Sequence, residues 1–173
     1  HGEVLCHIPL AAPLARRVIT ELRQAEVHRY AYVDGAIYVE QNREDDIRYA
    51  RHNGVELHIV DDLATLADRQ PTELAARGGP AEIDYVVDCL RERFGSDVIV
   101  GKIHAFFCEI ASASAGKGNA LKLVADGLGI PQDQVVAIGD SPNDVSMLEW
   151  AALGIAVGDA PSEVRASADW VID

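Results

Sequence analysis

The sequence predicts an α/β protein in two parts: a longer α+β segment rich in hairpins, then a shorter segment built on a parallel sheet. Three observations carry this expectation. From residue 117 onward, helical and strand-like stretches alternate at short intervals, the spacing of βαβ units. Earlier in the chain, two alternating runs meet at Asp34-Gly35, a dipeptide that favours a tight hairpin turn. Between the two regions lies Ala111 to Ala115, a run of small residues that reads as a crossover. The expected division is therefore residues 1–111 and 112–173.

The elements follow in order. Residues 10–26 carry Leu14, Val18, Ile19 and Leu22 on one helical face, and Pro13 suits the first turn. Residues 28–33 and 36–40 form the hairpin strands. Residues 42–54 are charged, show no clear period, and close at Asn53-Gly54. A strand is expected over 55–60, and a short helix over 61–67 capped by Asp61 or Asp62. Residues 72–77 read as a strand. Residues 81–94 read as a helix with Ile83, Val86, Val87 and Leu90 inward, stopped by Gly95. Residues 98–103 and 105–110 look like paired strands. The second part then runs helix (117–128), strand (135–138), helix (143–152), strand (154–157), helix (161–167) and strand (169–172).

Composition sets the broad class. Of the 173 residues, 49% are apolar and 25% charged, a balance that supports a packed core rather than disorder. With 28 acidic residues against 15 basic, the net charge is −13, which argues against a nucleic-acid surface. Any anionic ligand must then be met by local positive charge or by a metal. No apolar run reaches the roughly 18–20 residues of a membrane-spanning helix, and no signal peptide is visible. The three cysteines, Cys6, Cys89 and Cys108, match no zinc spacing. Cys89 and Cys108 lie in apolar contexts and are expected to be buried thiols, in keeping with a reducing cytoplasm. The six histidines form no HxH or HExxH group.

The densest chemistry lies in VVAIGDSPNDVSML, residues 135–148. The β-branched run from Val135 to Ile138 reads as a strand buried on both faces. It ends in Gly139-Asp140, and Pro142 opens the next helix. Asp140, Asn143 and Asp144 therefore gather where a strand ends and a helix begins, the edge at which open α/β sheets bind ligands. Crowded carboxylates repel unless a cation lies between them, and hard oxygens suit Mg²⁺. One acid there could simply cap the helix; two acids with Asn143 point to metal or catalytic use. Lys117, between Gly116 and Gly118 at the start of a helix, offers a point charge for a phosphate. The spacing is not that of a P-loop.

The stretches KGNALKLVADGLGI and VVAIGDSPNDVSMLEWAALGIAVGDAPSEVRASADWVID closely resemble the carboxyl half of haloacid dehalogenase-like (HAD) phosphatases, most of all the Cof-type, type IIB branch. The resemblance is specific over residues 108–173 and looser over 1–107. It implies an incomplete Rossmann-like parallel core carried by 112–173, with 1–111 as an inserted α+β cap that selects substrate. It implies that Lys117 steadies the nucleophile and the transferring phosphoryl group. Asp140 and Asp144 would be the Mg²⁺-binding acids and Asn143 an adjacent substrate contact. Where the family has Met-Gly-Asn-Ala, this chain has Val157-Gly158-Asp159-Ala160, so any contact made at position 159 is altered.

The family's Asp-x-Asp-Gly nucleophile loop has no counterpart here. Tyr32-Val33-Asp34-Gly35 looks similar only superficially: Tyr32 replaces the first acid and the flanks alternate as a hairpin. The chain begins with His1 rather than Met, so a fragment, a processed chain or a tag remnant is expected. The implied activity of the intact form is Mg²⁺-dependent hydrolysis of a small phosphorylated metabolite through an aspartyl-phosphate, with little turnover expected from this stretch alone. No nucleic-acid or membrane partner is expected. A homodimer, or a missing N-terminal fragment, is expected to cover the open sheet edge. The alternatives are a non-catalytic binding or regulatory protein of the same fold, and an unrelated α/β binding protein whose acidic pair only caps a helix.

Overall fold

A computed structural model describes residues 4–172 and divides into two compact units, one ending at Ala113 and the other starting at Ser114. The first unit contains a six-stranded mixed sheet in the order β3-β2-β1-β4-β6-β5. Its elements run α1 (Ala12–Leu22), β1 (His28–Val33), β2 (Ala36–Val39), α2 (Glu44–Asn53) and β3 (Leu57–Ile59). A 3₁₀ turn at Leu63–Arg69, β4 (Glu73–Arg77), α3 (Pro80–Phe94), β5 (Val98–His104) and β6 (Phe107–Ser112) complete it.

The hairpin forms as expected. Val33 pairs with Ala36, and Asp34 and Gly35 both take positive φ (52° and 79°), the twist that a two-residue hairpin requires. Parity then assigns the faces. Ala31 and Val33, Leu74 and Ala76, Cys108 and Ile110 point to one side of the sheet. There they meet Val18, Ile19 and Leu22 of α1 and Ile83, Val87 and Leu90 of α3, all nearly inaccessible. Each such aliphatic side chain stabilises the fold by roughly 1.5–3 kcal/mol. On the opposite side Tyr30, Ile37, Val39 and Ala75 pack under Ala50 of α2.

The charged stretch without a readable period is α2. A polar network holds it rather than an apolar stripe. Asp46, 3% exposed, accepts from the Arg43 amide at 3.2 Å and from the Tyr30 hydroxyl at 2.7 Å, and pairs with His28 Nε2 at 2.8 Å. Gly54, at φ 65°, ends the helix in the left-handed conformation. The short helix after β3 is 3₁₀, and of the two candidate caps it is Asp62 whose carboxylate accepts from the Ala64 amide. Cys108 is buried as expected, but Cys89 is only partly so, because it lies at the edge of the inward face of α3.

Glu73 and Glu109 lie on neighbouring strands of the α2 side. Glu73 faces Ala111 and Glu109 faces Ala75, which makes the two acids diagonal neighbours on one face. Burial, reinforced by the Glu109 charge, pushes the Glu73 carboxyl up to about 8. A carboxyl raised in the folded state contributes stability that is complete below its unfolded pKa and is lost as pH climbs toward 8. Glu73→Gln is therefore expected to flatten the decline in melting temperature between pH 5 and 9. At pH 9 it should be more stable than the parent protein, since the neutral amide avoids the cost of ionising a buried carboxyl whose pKa is pushed up to about 8. Parallel melting curves for the two proteins would exclude this account.

The second unit contains α4 (Lys117–Leu128), β7 (Val136–Gly139), α5 (Val145–Trp150), β8 (Leu153–Val157), α6 (Ser162–Ala166) and β9 (Trp170–Ile172). Its three strands are parallel, in the order β7-β8-β9. Ala137, Leu148, Ala156, Ala160 and Val164 form its core. The expected helix over 143–152 is shorter: Pro142–Asp144 is a 3₁₀ turn, and α5 follows it. The expectation that the first strand is buried on both faces is corrected. Ala137 and Gly139 are covered, whereas Val136 and Ile138 are each 56% exposed, because α5 packs on only one face of β7. Among the described residues, no helix is long and apolar enough to cross a membrane.

Candidate active site

The candidate site is built at the carboxyl end of β7. The strand closes at Gly139, and the chain reverses through Asp140 and Ser141 into the Pro142–Asp144 turn. Gly139 is required by contact rather than by φ. A Cβ there would lie 2.5 Å from Asp144 Cβ, so only glycine lets Asp144 fold back against the strand end. Asp144 is 3% exposed. Its Oδ2 accepts from the amides of Asp140 and Ser141, both at 3.1 Å, and from the Ser141 hydroxyl at 2.9 Å. Its Oδ1 accepts from Lys117 Nζ. Burial pushes the Asp144 carboxyl upward, but Lys117, the Ser141 hydroxyl and the two amides outweigh it and hold the group below its ordinary value.

Lys117 reaches Asp144 because α4 crosses α5 closely. A Cβ on Gly118 would meet the Ser146 carbonyl oxygen at 2.4 Å, so a larger residue would push the helices apart. The Gly118 amide donates to Ser146 Oγ at 3.1 Å and pins the crossing. The structure thus brings together Lys117 and Asp144, which the sequence places 27 positions apart. Asn143 lies on the same turn, with its Oδ1 beside the Ser141 hydroxyl. Asp140 is exposed, and among the described residues no side chain bonds its carboxylate.

The two acids therefore differ in what they do in this chain. Asp144 braces the loop with every oxygen engaged. Asp140 presents an exposed carboxylate on the same loop. No group of three His, Cys, Asp or Glu side chains with metal-binding geometry occurs among the described residues. The donor set still fits Mg²⁺, which commonly keeps several waters and takes only one or two protein carboxylates together with substrate phosphate oxygens. Asp140, the Asn143 amide oxygen and Asp144 are hard oxygen donors of that kind, and Asp144 would have to share its Oδ1 with Lys117.

Ser141 and Ser146 are the site residues that sequence reasoning missed. For Ser141 a signal existed: Ser-Pro-Asn-Asp carries the S-x-x-D spacing of a capping box. For Ser146 none did, since its role depends on a helix crossing. Gly158, at φ 62°, turns the chain after β8, and Asp159 follows it as an exposed residue.

The chain is similar to several known proteins. A Haemophilus influenzae protein that carries a provisional phosphatase name is 36% identical over 117 residues, which is 68% of this chain and 43% of that protein. This chain therefore spans less than half the length of that curated relative. A crystal structure from Thermotoga maritima superposes with a TM-score of 0.72 at 29% identity, covering 94% of this chain and 61% of that one. A subclass IIB sugar phosphatase of the HAD superfamily superposes with a TM-score of 0.73 over 98% of this chain and 64% of that one; at 20% identity this is a likeness of fold. The family profile described as haloacid dehalogenase-like hydrolase matches residues 1–173. The chain belongs to the haloacid dehalogenase-like hydrolase family.

Proposed function

We propose that this chain is the part of a Mg²⁺-dependent phosphatase that positions a phosphoryl group, acting on a small phosphorylated metabolite. The observation that carries the proposal is the Lys117–Asp144 pair braced at the end of β7, with Asp140 exposed on the same loop. Lys117 holds a fixed positive charge where an anionic phosphoryl group would gain most from it. Asp144 keeps that ammonium in place and keeps the loop closed. Asp140, with Asn143, would hold the ion. Mg²⁺, when bound, neutralises charge on the transferring group.

In this reading the nucleophile is a carboxylate supplied from polypeptide outside these 173 residues, which contain no Asp-x-Asp-Gly sequence. Its oxygen attacks phosphorus in line, the bond to the leaving oxygen breaks, and that oxygen takes a proton from a second acid; water then releases phosphate. The first unit would act as the cap that selects substrate. The open edge of β7 fits a further strand, and the exposed Val136 and Ile138 fit a layer packed on that face, either from such a segment or from a second copy of the chain.

Calorimetric titration with Mg²⁺ tests the metal site directly. The chain is expected to bind the ion, and Asp140→Asn is expected to weaken binding at least tenfold. Equal binding by the two proteins would reject Asp140 as a ligand. In a phosphate-release assay with sugar-phosphate monoesters and Mg²⁺, the chain alone is expected to stay at background. Robust turnover abolished by Asp140→Ala would show that the nucleophile lies within these residues after all. Mg²⁺ binding without turnover in any longer form of the chain would favour the alternative, a non-catalytic protein of the same fold.

A further inference from the structure

The α2 side of the first unit holds a cavity of about 380 Å³, a volume within the range of small-molecule sites. It is lined wholly by first-unit residues. Its walls are unusually aromatic for this chain. Of three phenylalanines and five tyrosines in the sequence, Phe106, Phe107, Tyr30, Tyr32 and Tyr49 line it. Tyr30 and Phe107 meet edge to face with centroids 6.0 Å apart, so those two rings are fixed by each other. Phe106 and Tyr49 are about half exposed at the rim, which leaves ring surface available to an incoming group.

The charges around the cavity divide into satisfied and unsatisfied groups. Asp46 is consumed by Tyr30, His28 and the Arg43 amide. Arg77 is paired with Asp45 at 2.9 Å, and Asp45 also holds Arg48. Glu109 differs: it lines the cavity, Glu73 is its diagonal neighbour, and among the described residues no lysine, arginine or histidine forms an ion pair with either acid. Burial pushes both carboxyls up; at Glu109 the His104 ring opposes the shift without cancelling it.

We propose that this cavity binds a small organic ammonium ion, its charge against Glu109 and its apolar part between Tyr49, Phe106 and Phe107. Ring faces attract a desolvated cation, and the Glu109 carboxylate in the cavity wall supplies the opposite charge. An anionic ligand finds acids, the His104 ring and one arginine that is already paired. A neutral ring would gain the stacking but would leave Glu109 without its partner. The chemistry of recognition is thus an alkylammonium or arylalkylammonium group.

The test compares two probes of one shape, phenethylammonium and 2-phenylethanol, titrated into the whole chain at pH 8 and followed by tyrosine fluorescence and NMR chemical shifts. Phenethylammonium is expected to bind at least tenfold tighter than the alcohol. Glu109→Gln is expected to abolish that preference while leaving alcohol binding in place. Tyr49→Ala, a change at an exposed rim position, is expected to weaken both probes without altering the melting temperature. Equal affinities in the wild-type protein, a preference retained in Glu109→Gln, or shifts confined to residues outside the cavity would each overturn the proposal. None of these readouts depends on Mg²⁺ or on phosphatase activity, so failure here and failure of the proposed function are distinguishable.

Discussion

Asp46→Ala is expected to destabilise the first unit by about 3–5 kcal/mol, the cost of breaking a buried, hydrogen-bonded network. The change strips partners from His28 Nε2, the Tyr30 hydroxyl and the Arg43 amide at once. His28 is 5% exposed, and burial holds its pKa below the ordinary value despite the Asp46 carboxylate beside it. An orphaned buried donor costs its full desolvation, which is why removing one partner is worse than the pair's net worth suggests. The loss should appear as a lower midpoint in urea unfolding followed by circular dichroism. It should also appear as early hydrogen exchange in α2, whose only fully buried positions are Asp46 and Ala50. Asp46→Asn, which preserves shape and one acceptor, should recover part of the loss. A destabilisation below 1 kcal/mol for the alanine variant would mean that α2 is held by something other than this network.

Asp144→Ala is expected to cost the second unit about 2–4 kcal/mol, since it removes the acceptor shared by two amides, a hydroxyl and an ammonium in a nearly inaccessible position. The pH dependence follows from the direction in which the pKa moves. A carboxyl held below its ordinary pKa contributes stability that is present above the unfolded value and is lost as pH falls through the folded one. Wild-type protein should therefore lose this contribution under acidic conditions, below about pH 4, whereas Asp144→Asn should show a flatter acid limb. The same variants separate bracing from coordination. If Asp144 only braces, Asp144→Asn keeps most Mg²⁺ affinity in calorimetry. If it is a direct ligand, the affinity falls as far as in Asp140→Asn.

Legibility in the sequence tracked apolar pattern and turn chemistry. Helices α1 and α3 were readable because Val18, Ile19 and Leu22, and Ile83, Val87 and Leu90, recur at helical spacing and do bury. The hairpin was readable because Asp34-Gly35 takes positive φ cheaply. Helix α2 was not, because its inward residue is a carboxylate whose partners lie on β1, out of reach of any local pattern. The strand β7 was placed correctly but its burial was not, since Val136 and Ile138 look like core residues whatever covers them. At the candidate site, the types and the spacing of Asp140, Asn143 and Asp144 were legible. The division of labour between the two acids was not, because it rests on Lys117 arriving from another helix.

The bare strip formed by Val136 and Ile138 also has a colloidal consequence. It belongs to a molecule carrying thirteen excess negative charges, and like-sign repulsion keeps two such strips apart only over the electrostatic range of the solvent. That range contracts from about 30 Å in 0.01 M salt to about 8 Å under physiological conditions. Ionic strength, rather than concentration alone, should then govern whether molecules of this chain remain separate or adhere strip to strip.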